Sequence, residues 1–482
     1  MPNVLRRPSP GALVALLGIT MASSLTIFYA AKLWTERITA ITPAPCRTPG
    51  CLDGTLVDFR DTVWLPTRWL LSGNDPYNTA LYSAHFPYAQ DYPTYAPAHL
   101  ALWMPFGRLP WEAAAAADVV LNIVVVAAVG AWAGMRAARL WTAPGTPGRT
   151  ALVGAGSLGV ALVWLARTAA DGASHGQPSV VYALLAAPAL LSRSPWVATP
   201  LAAVTCLKPQ IGIFVVVLLL AQRRWRVAGS AVLLAGGVST VTALFLADGR
   251  LGAWLETLLS NASSAEAIRT VDYLDERVDL TGALLDAGLP VPGWTSPVVL
   301  LAGLSAAYLL ARRLDRRLLP HTAVLIGLSI GLMAFYHISY DAMWMLAPIA
   351  LAAAELWRSG ARRARAWSAP GLVALAVACW ASRWHPLELL FGDGSTIWIM
   401  RALVVVGVAL LVAGTWRLDG DPSSRLLPWP SSPLVRRSTP DCYVPISRPD
   451  GGHSMSSTRR DPPTPTSSPG PQPEARWRAA SC

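Results

Sequence analysis

Charged residues are scarce in this chain, and their scarcity decides the class of protein. Only 14% of the 482 residues are Asp, Glu, Lys or Arg, whereas 53% are hydrophobic and the mean hydropathy is +0.40. A soluble domain carries about a quarter charged residues. The composition therefore excludes an ordinary soluble enzyme and predicts a membrane protein.

Cysteines are also few, and no residues have the spacing of a zinc or haem site. The six cysteines do not form a disulfide framework. Cys206 and Cys379 lie in apolar segments and are expected to be small core residues. Cys46 and Cys51 bracket a short Pro/Gly turn. A local disulfide between them and two free thiols are equally compatible with the sequence. No carboxylates cluster for a divalent ion, so we predict no metal and no cofactor.

The arginines that are present fall in every second gap between apolar stretches. These gaps contain Arg6/Arg7, Arg136/Arg139/Arg149, Arg193, Arg223/Arg224/Arg226, Arg312/Arg313/Arg316/Arg317 and Arg358/Arg362/Arg363/Arg365. Short basic loops stay in the cytoplasm, so the alternation predicts cytoplasmic termini and long extracytoplasmic loops. The net charge of +11 sits on short loops and the tail rather than on one folded face. We therefore expect membrane lipids as partners and no nucleic acid.

About twelve apolar segments are candidate membrane spans, since each crossing needs about 20 residues. The predicted spans are 11–33, 112–135, 150–168, 178–192, 195–207, 210–222, 226–247, 293–311, 319–338, 342–357, 367–383 and 396–416. They predict an all-α, polytopic, multi-pass domain of a cell membrane over 11–418, after a cytoplasmic segment 1–10. The tail, 419–482, is rich in Pro, Ser, Thr and Arg and is predicted to be a disordered cytoplasmic extension.

The first long extracytoplasmic loop, 34–111, contains a candidate catalytic acid. Asp58 precedes apolar residues that are spaced as in a short helix lying on the membrane surface. A carboxylate near the headgroups can accept a proton from a hydroxyl and act as a general base, although helix capping is the alternative for a lone Asp. Arg60 and Asp61 lie beside it, and Tyr95 precedes a proline-rich entry into an interfacial or re-entrant helix.

Polar groups also stand at the outward ends of apolar segments. His175 and Gln177 precede one segment, where capping or an inter-helix hydrogen bond is the alternative role. Lys208 ends another segment, and a charge at that depth needs a partner such as a lipid phosphate unless it snorkels to the headgroups.

Two further extracytoplasmic regions carry ionisable groups. A hairpin with His337, Tyr340 and Asp341 lies at the outer junction of two spans, where it is either a functional site or a simple polar turn. The second long loop, 248–292, is acid-rich around Asp272, Asp275, Glu276 and Asp279.

In their order along the chain, these segments resemble glycosyltransferase family 87 over about residues 10 to 415. The likeness is carried by Asp58-Phe59, Gly73…Pro76-Tyr77, Tyr95-Ala96-Pro97, Pro105…Leu109-Pro110, Gly176-Gln177, Lys208-Pro209 and Ser339-Tyr340-Asp341 before Pro348. The resemblance implies a GT-C-like fold with interfacial helices in the first long loop. It also implies transfer of a sugar from a polyprenyl-phosphate donor to a lipid-linked or polysaccharide acceptor of the cell envelope, on the extracytoplasmic side.

The resemblance also implies roles for individual residues. Asp58 corresponds to the catalytic base, with Asp61 as a second candidate, and Lys208, assisted by Arg60, would bind the donor phosphate. The remaining candidate substrate contacts are Tyr95, His175, Gln177, His337, Tyr340 and Asp341. The chain departs from the family pattern at Ala96, where a second proline is common, and at His337, which precedes Tyr340-Asp341. Mannose or another hexose is favoured, arabinofuranose also fits, and inversion is the simplest scheme.

Two other functions compete with this one. A transporter or flippase of lipid-linked saccharides would use the basic site for recognition only, but no internal repeat of the transporter kind is visible. An inactive polytopic scaffold would have no need to concentrate Tyr, Trp and Asp in its extracytoplasmic loops.

Overall fold

The computed structural model describes residues 10–35, 56–86, 95–142, 147–248, 250–271, 274–317, 319–359, 362–381, 388–390, 392 and 395–416. These residues lie within one compact unit, Met1–Leu427. Their regular structure is helical, and their β contact is an isolated bridge between Arg277 and Ile338. The predicted all-α fold is confirmed.

The helices follow one another with short connections. In chain order the main helices are α1 (Pro10–Leu33), α2 (Val57–Phe59), α3 (Leu65–Leu71), α4 (Thr79–His85), α5 (Pro97–Gly107), α6 (Trp111–Trp141), α7 (Arg149–Leu165), α8 (Arg167–His175), α9 (Ser179–Leu191), α10 (Pro195–Thr205), α11 (Pro209–Ala221), α12 (Trp225–Ala247), α13 (Leu251–Val271), α14 (Leu280–Asp286), α15 (Thr295–Arg316), α16 (Pro320–Ala334), α17 (Leu346–Arg358), α18 (Arg362–Ala381) and α19 (Ser395–Trp416). A π-helical turn, Arg60–Trp64, joins α2 to α3, and 3₁₀ turns lie at Leu274–Glu276 and Ser339–Met345.

Each predicted apolar segment corresponds to a helix, but the helices differ in length. Among the described residues, five helices are long and apolar enough to cross a membrane, namely α1, α6, α12, α15 and α19. A sixth crossing results if α7 and α8, which meet at a bend of 68°, form one broken span. A membrane-embedded protein is therefore confirmed, while the count of about twelve crossings stays a prediction.

Prolines set several of the helix boundaries. Pro97, Pro195, Pro209 and Pro320 each stand in the first turn of their helix. Proline fits there because its missing N–H would have no partner within the helix and its fixed φ is already helical. This explains why the short apolar helices of the middle of the chain begin where they do.

Close packing of α6 against α7 depends on small residues. Gly130 and Gly159 face each other across this contact, and Gly134 lies against the backbone of Ala155. A Cβ at any of the three glycines would collide with the neighbouring backbone. Small residues of this kind let membrane helices approach closely. The contact fixes the long α6, whose N-terminal part borders the candidate site.

The two long predicted loops contain helices. In the first loop the predicted helix is present and runs from Val57 to Leu71, interrupted by the π-helical turn. It begins earlier than predicted, so Asp58 lies in its first turn rather than before it. Its place on a membrane surface stays a prediction. The second segment was predicted to be a long loop, but it contains the helix α13, which is 21 residues long. It forms because Trp254 packs with Tyr77 and Leu100 of the first loop in one apolar cluster.

Some predictions fall on other parts of the chain. The Cys46–Cys51 disulfide, the N-terminal segment up to residue 9, Asp272 and the tail 419–482 lie outside the described residues. Cys379 is buried in α18, and Cys206 is partly buried at the end of α10, both as free thiols.

Candidate functional site

Asp58 lies in the first turn of α2, directly after an unusual backbone conformation. Leu56 is fully buried and has a left-handed φ of 50°. Such a conformation costs a non-glycine residue about 1–3 kcal/mol and persists only where the surroundings enforce it. The chain thereby turns sharply and presents the Asp58 carboxylate to Gln177, whose Nε2 donates a hydrogen bond to its Oδ2.

Gly176 explains how Gln177 reaches Asp58. Gly176 ends α8 in the left-handed conformation, with φ 65°. A Cβ at this position would lie 2.6 Å from the Cβ of Phe59 and 2.9 Å from a methyl carbon of Leu56. Glycine is required both by this φ and by the close approach. The Gly-Gln pair therefore brings α8 against α2 and places the amide beside the acid.

Gln177 continues the contact toward Lys208. Its Oε1 accepts hydrogen bonds from the Tyr95 hydroxyl at 3.0 Å and from Ser179 Oγ at 3.2 Å. Lys208 Nζ in turn donates to Ser179 Oγ at 2.7 Å. Asp58 and Lys208, which are far apart in sequence, are thus joined through two bridging side chains in one buried network.

Lys208 is held by an ion pair with the late hairpin. Its Nζ lies 2.7 Å from Asp341 Oδ1 and 2.9 Å from Oδ2, and His337 Nδ1 lies 2.9 Å from the same carboxylate. Burial alone would raise the pKa of Asp341, but Lys208 and His337 lower it to about 2. The partner that the sequence required for Lys208 is present in the protein as Asp341.

Tyr340 and His175 border this network. The Tyr340 ring lies 5.9 Å from Lys208 Nζ, and burial raises the pKa of its hydroxyl well above the ordinary value. His175 is only partly buried, and its Nδ1 lies 2.9 Å from the carbonyl oxygen of Asp171. The structure therefore brings both candidates to the site without a direct hydrogen bond between His175 and Asp58.

Arg60 and Asp61 bind each other. Arg60 Nε lies 2.7 Å from Asp61 Oδ1, and Nη2 lies 3.1 Å from Oδ2. Asp61 is 1% exposed, so its carboxylate is enclosed, whereas Arg60 keeps some exposed surface. This bidentate pair commits the Arg60 guanidinium to its neighbour and leaves Asp58 as the more accessible acid of the two.

Several residues that support the site were not among the predicted ones. Ser179 bridges Gln177 and Lys208, and the only sequence signal for it is a serine that follows Pro178 at a helix start. His99 Nε2 donates to the carbonyl oxygen of Thr62 at 2.8 Å, and its Nδ1 accepts from the Tyr182 hydroxyl at 2.7 Å. Burial lowers the pKa of His99 to about 3, which fits this neutral bridging role.

The Gly73…Pro76-Tyr77 segment supports Tyr95. The Tyr77 hydroxyl donates to the carbonyl oxygen of Tyr95 at 2.8 Å, and Asn261 Nδ2 donates to the carbonyl oxygen of Tyr77 at 2.8 Å. Tyr95 also stacks on His99, with ring centroids 4.3 Å apart. The segment thus acts as a brace that fixes the tyrosine whose hydroxyl contacts Gln177.

The environment of Asp58 suits proton transfer near neutral pH. Burial raises the pKa of Asp58 to about 6, with small contributions from the negative charges of Asp61 and Glu276, while His175 and the Gln177 hydrogen bond oppose the rise. The side chain nevertheless keeps some accessible surface. A general base works best when its pKa lies near the working pH, so this carboxylate can accept a proton from a bound hydroxyl.

Within the described ranges, no three His, Cys, Asp or Glu side chains come together as a metal-ion site. The network instead offers a carboxylate at one end and a buried Lys–Asp–His group at the other. His337 Nε2 is buried without a hydrogen-bond partner, so one polar donor or acceptor of this group is uncommitted. Such an arrangement can combine base chemistry with binding of an anion.

Comparison with known proteins matches the chain to a protein family. The family model described as Glycosyltransferase family 87 matches residues 94–335, which is half of the chain. The matched range contains Tyr95, Gln177 and Lys208, while Asp58 precedes it and Asp341 follows it. None of the curated proteins and none of the solved structures matches the chain.

Proposed function

The chain belongs to glycosyltransferase family 87, and we propose that it transfers a sugar from a polyprenyl-phosphate donor to a lipid-linked or polysaccharide acceptor of the cell envelope. The site faces the extracytoplasmic side of the cell membrane, as the arginine distribution favours. Mannose or another hexose is the preferred sugar, and arabinofuranose is the alternative.

Asp58 acts as the general base in this scheme. The acceptor oxygen attacks the anomeric carbon while its proton passes to the Asp58 carboxylate. The bond between the anomeric carbon and the phosphate oxygen breaks, and polyprenyl phosphate leaves with the bonding electrons. One displacement inverts the anomeric configuration, and base catalysis of this kind contributes about 10²–10⁴-fold.

Lys208 stabilises the leaving phosphate. A sugar phosphodiester carries one negative charge and gains a second as the sugar departs, so a positive group at this place acts in the transition state. Asp341 holds the Lys208 ammonium in position and also lies 2.9 Å from His337 Nδ1. His337, whose Nε2 has no hydrogen-bond partner, is proposed to contact the substrate. Arg60 contributes less, because Asp61 already occupies its guanidinium.

The observation that carries the proposal is the buried chain of contacts from Asp58 through Gln177 and Ser179 to Lys208. This chain of contacts links the proposed base to the proposed phosphate site through two intervening side chains. Tyr95 donates to Gln177 and Tyr340 lies beside Lys208, and both are proposed to contact the sugar.

The test is transfer of labelled sugar by the purified protein. Polyprenyl-phosphate mannose and polyprenyl-phosphate arabinofuranose are each offered with a membrane lipid extract, and labelled lipid product is measured. We expect transfer by the wild type and none by Asp58→Asn. The matched control is Asp248→Asn, an isosteric change at an exposed aspartate after α12. Loss of transfer in the control, or full transfer by Asp58→Asn, would contradict the role of Asp58.

A further inference from the structure

A large apolar groove lies between α15, α16 and α19, away from the Asp58 network. Its volume is about 650 Å³. Its walls include Ala302 and Ala306 of α15, Ile330 of α16, and Val408 and Ala409 of α19. The one hydroxyl in its lining belongs to Ser329, which already donates to the carbonyl oxygen of Leu325 at 2.8 Å. Apart from the indole of Trp416 and the sulfur of Met333, the lining side chains of the groove offer hydrocarbon contacts.

A polar pocket of about 450 Å³ adjoins this groove at its outer end. The two share Ala334, and α14 borders both, with Leu280 in the groove and Thr281 in the pocket. Both volumes fall in the range of about 300–1,000 Å³ that is typical of ligand sites. An apolar space that lies next to a polar one fits an amphipathic molecule.

The polar pocket carries no net charge of its own. Arg277 and Asp279 form a buried bidentate pair, with Nε–Oδ2 and Nη2–Oδ1 distances of 3.0 and 2.9 Å. Tyr336 lies under the guanidinium at 5.1 Å, and Ser296 adds a hydroxyl to the wall. A balanced ion pair, an aromatic ring and hydroxyl groups suit an uncharged, hydroxyl-rich head better than a phosphate.

The pocket is tied to the candidate site through the late hairpin. Val278 N–H donates to the carbonyl oxygen of His337 at 2.9 Å, and His337 Nδ1 lies 2.9 Å from Asp341, the partner of Lys208. One wall of the pocket is therefore fixed to the hairpin that also holds Lys208.

We propose that the groove and the polar pocket bind the lipid-linked acceptor, with its hydrocarbon chain between α15, α16 and α19 and its saccharide head beside Arg277 and Asp279. This inference rests on the proposed transferase function. The proposed function places the donor phosphate elsewhere, at Lys208.

The first test is binding and needs no activity. Decyl mannoside with a diazirine at the end of its alkyl chain is photolysed with the full-length protein in nanodiscs, and the labelled residues are mapped by mass spectrometry. We expect labelling of α15, α16 or α19 along the groove, displaced by unlabelled decyl mannoside. Displacement by polyprenyl phosphate would assign the groove to the donor chain. Displacement by phosphatidylglycerol, or no displacement, would make it an ordinary lipid contact, and each outcome would overturn the proposal.

The second test is kinetic and uses a groove-filling variant. Ala409→Phe places a ring in the groove, and Val406→Phe, at an exposed residue outside the lining, is its control. We expect the KM for decyl mannoside to rise about tenfold in Ala409→Phe, since the ring excludes two or more methylene groups. The KM for the polyprenyl-phosphate donor, and transfer to methyl mannoside, stay unchanged in both variants.

The two proposals fail in different ways. If the wild type transfers no sugar from any polyprenyl-phosphate donor, the transferase proposal fails, and the photolabelling still decides what the groove binds. If transfer occurs and Ala409→Phe behaves as Val406→Phe does, the acceptor site is wrong while the role of Asp58 stands.

Discussion

Replacing Asp58 by asparagine should stabilise the folded protein while it removes activity. Burial raises the pKa of Asp58 from an ordinary value of 3.8 to about 6 in the folded protein. The folded state thus holds this proton more tightly than the unfolded chain, and stability is lost as the pH rises through the folded pKa. Asparagine has no charge to desolvate and can still accept the hydrogen bond from Gln177.

The magnitude follows from the two pKa values. A difference of about two pH units corresponds to about 3 kcal/mol at pH 7.5 and to about half of that at pH 5. This is an upper limit, because the Asp58 side chain retains some contact with solvent. The gain from the substitution should therefore be largest at neutral pH and should vanish below about pH 4.

The assay is the unfolding temperature of the purified protein in detergent at several pH values. Asp58→Asn should have a higher Tm than the wild type at pH 7.5, and the difference should shrink at pH 5. Asp248→Asn should show neither effect. A Tm of Asp58→Asn that equals or falls below the wild type at both pH values would refute the buried, raised-pKa environment of Asp58.

Three further substitutions test the supports of the site. Gly176→Ala should lower the Tm and abolish transfer, as measured by thermal unfolding and by labelled product. The new Cβ would lie 2.6 Å from the Cβ of Phe59, and the left-handed backbone conformation costs a non-glycine residue about 1–3 kcal/mol. Lys208→Met should cost about 3–5 kcal/mol, because the buried Asp341 carboxylate loses its ammonium partner. A second change, Asp341→Asn, should restore the Tm without restoring transfer. Arg401→Gln should lower both the Tm and the transfer activity. Arg401 donates to the carbonyl oxygen of Arg277 at 2.7 Å and so holds the second loop against α19. The loosened loop should be cleaved faster by a protease, and an unchanged cleavage pattern would contradict this role.

The sequence located the candidate residues better than it located their partners. Asp58, Gln177, Lys208 and Asp341 were predicted from loop position and depth in the membrane, and the structure brings them into one network. Such positions can be predicted from the sequence because burying an ionisable group at the end of an apolar helix costs free energy, so the group is expected to have a partner or a function. Their roles as base and phosphate ligand stay proposals.

The missing parts depend on contacts between distant segments. Ser179 and His99 gain importance only because separate helices bring other polar groups within hydrogen-bond reach of them. Arg60 was predicted to face a phosphate, but its adjacent partner Asp61 binds it in the fold. No local pattern distinguishes such a serine, histidine or arginine from a residue with an ordinary packing role.

The helix α13 was missed for a related reason. Its sequence is less apolar than that of a membrane span, so loop and helix looked alike from composition alone. It is stabilised where Trp254 packs edge to face on Tyr77, with ring centroids 5.6 Å apart, a contact that joins the two long loops. A helix that depends on such a contact cannot be predicted from the sequence of either segment alone.

The pH dependence of kcat/KM for transfer shows whether Asp58 is the general base. If Asp58 is the base, the rate should rise with pH through an apparent pKa of about 6. Gln177→Leu should move that limb to higher pH, because the Gln177 hydrogen bond lowers the pKa of Asp58. A limb that stays in place when Gln177 is replaced, or a profile that is flat from pH 5 to 8, would contradict the account.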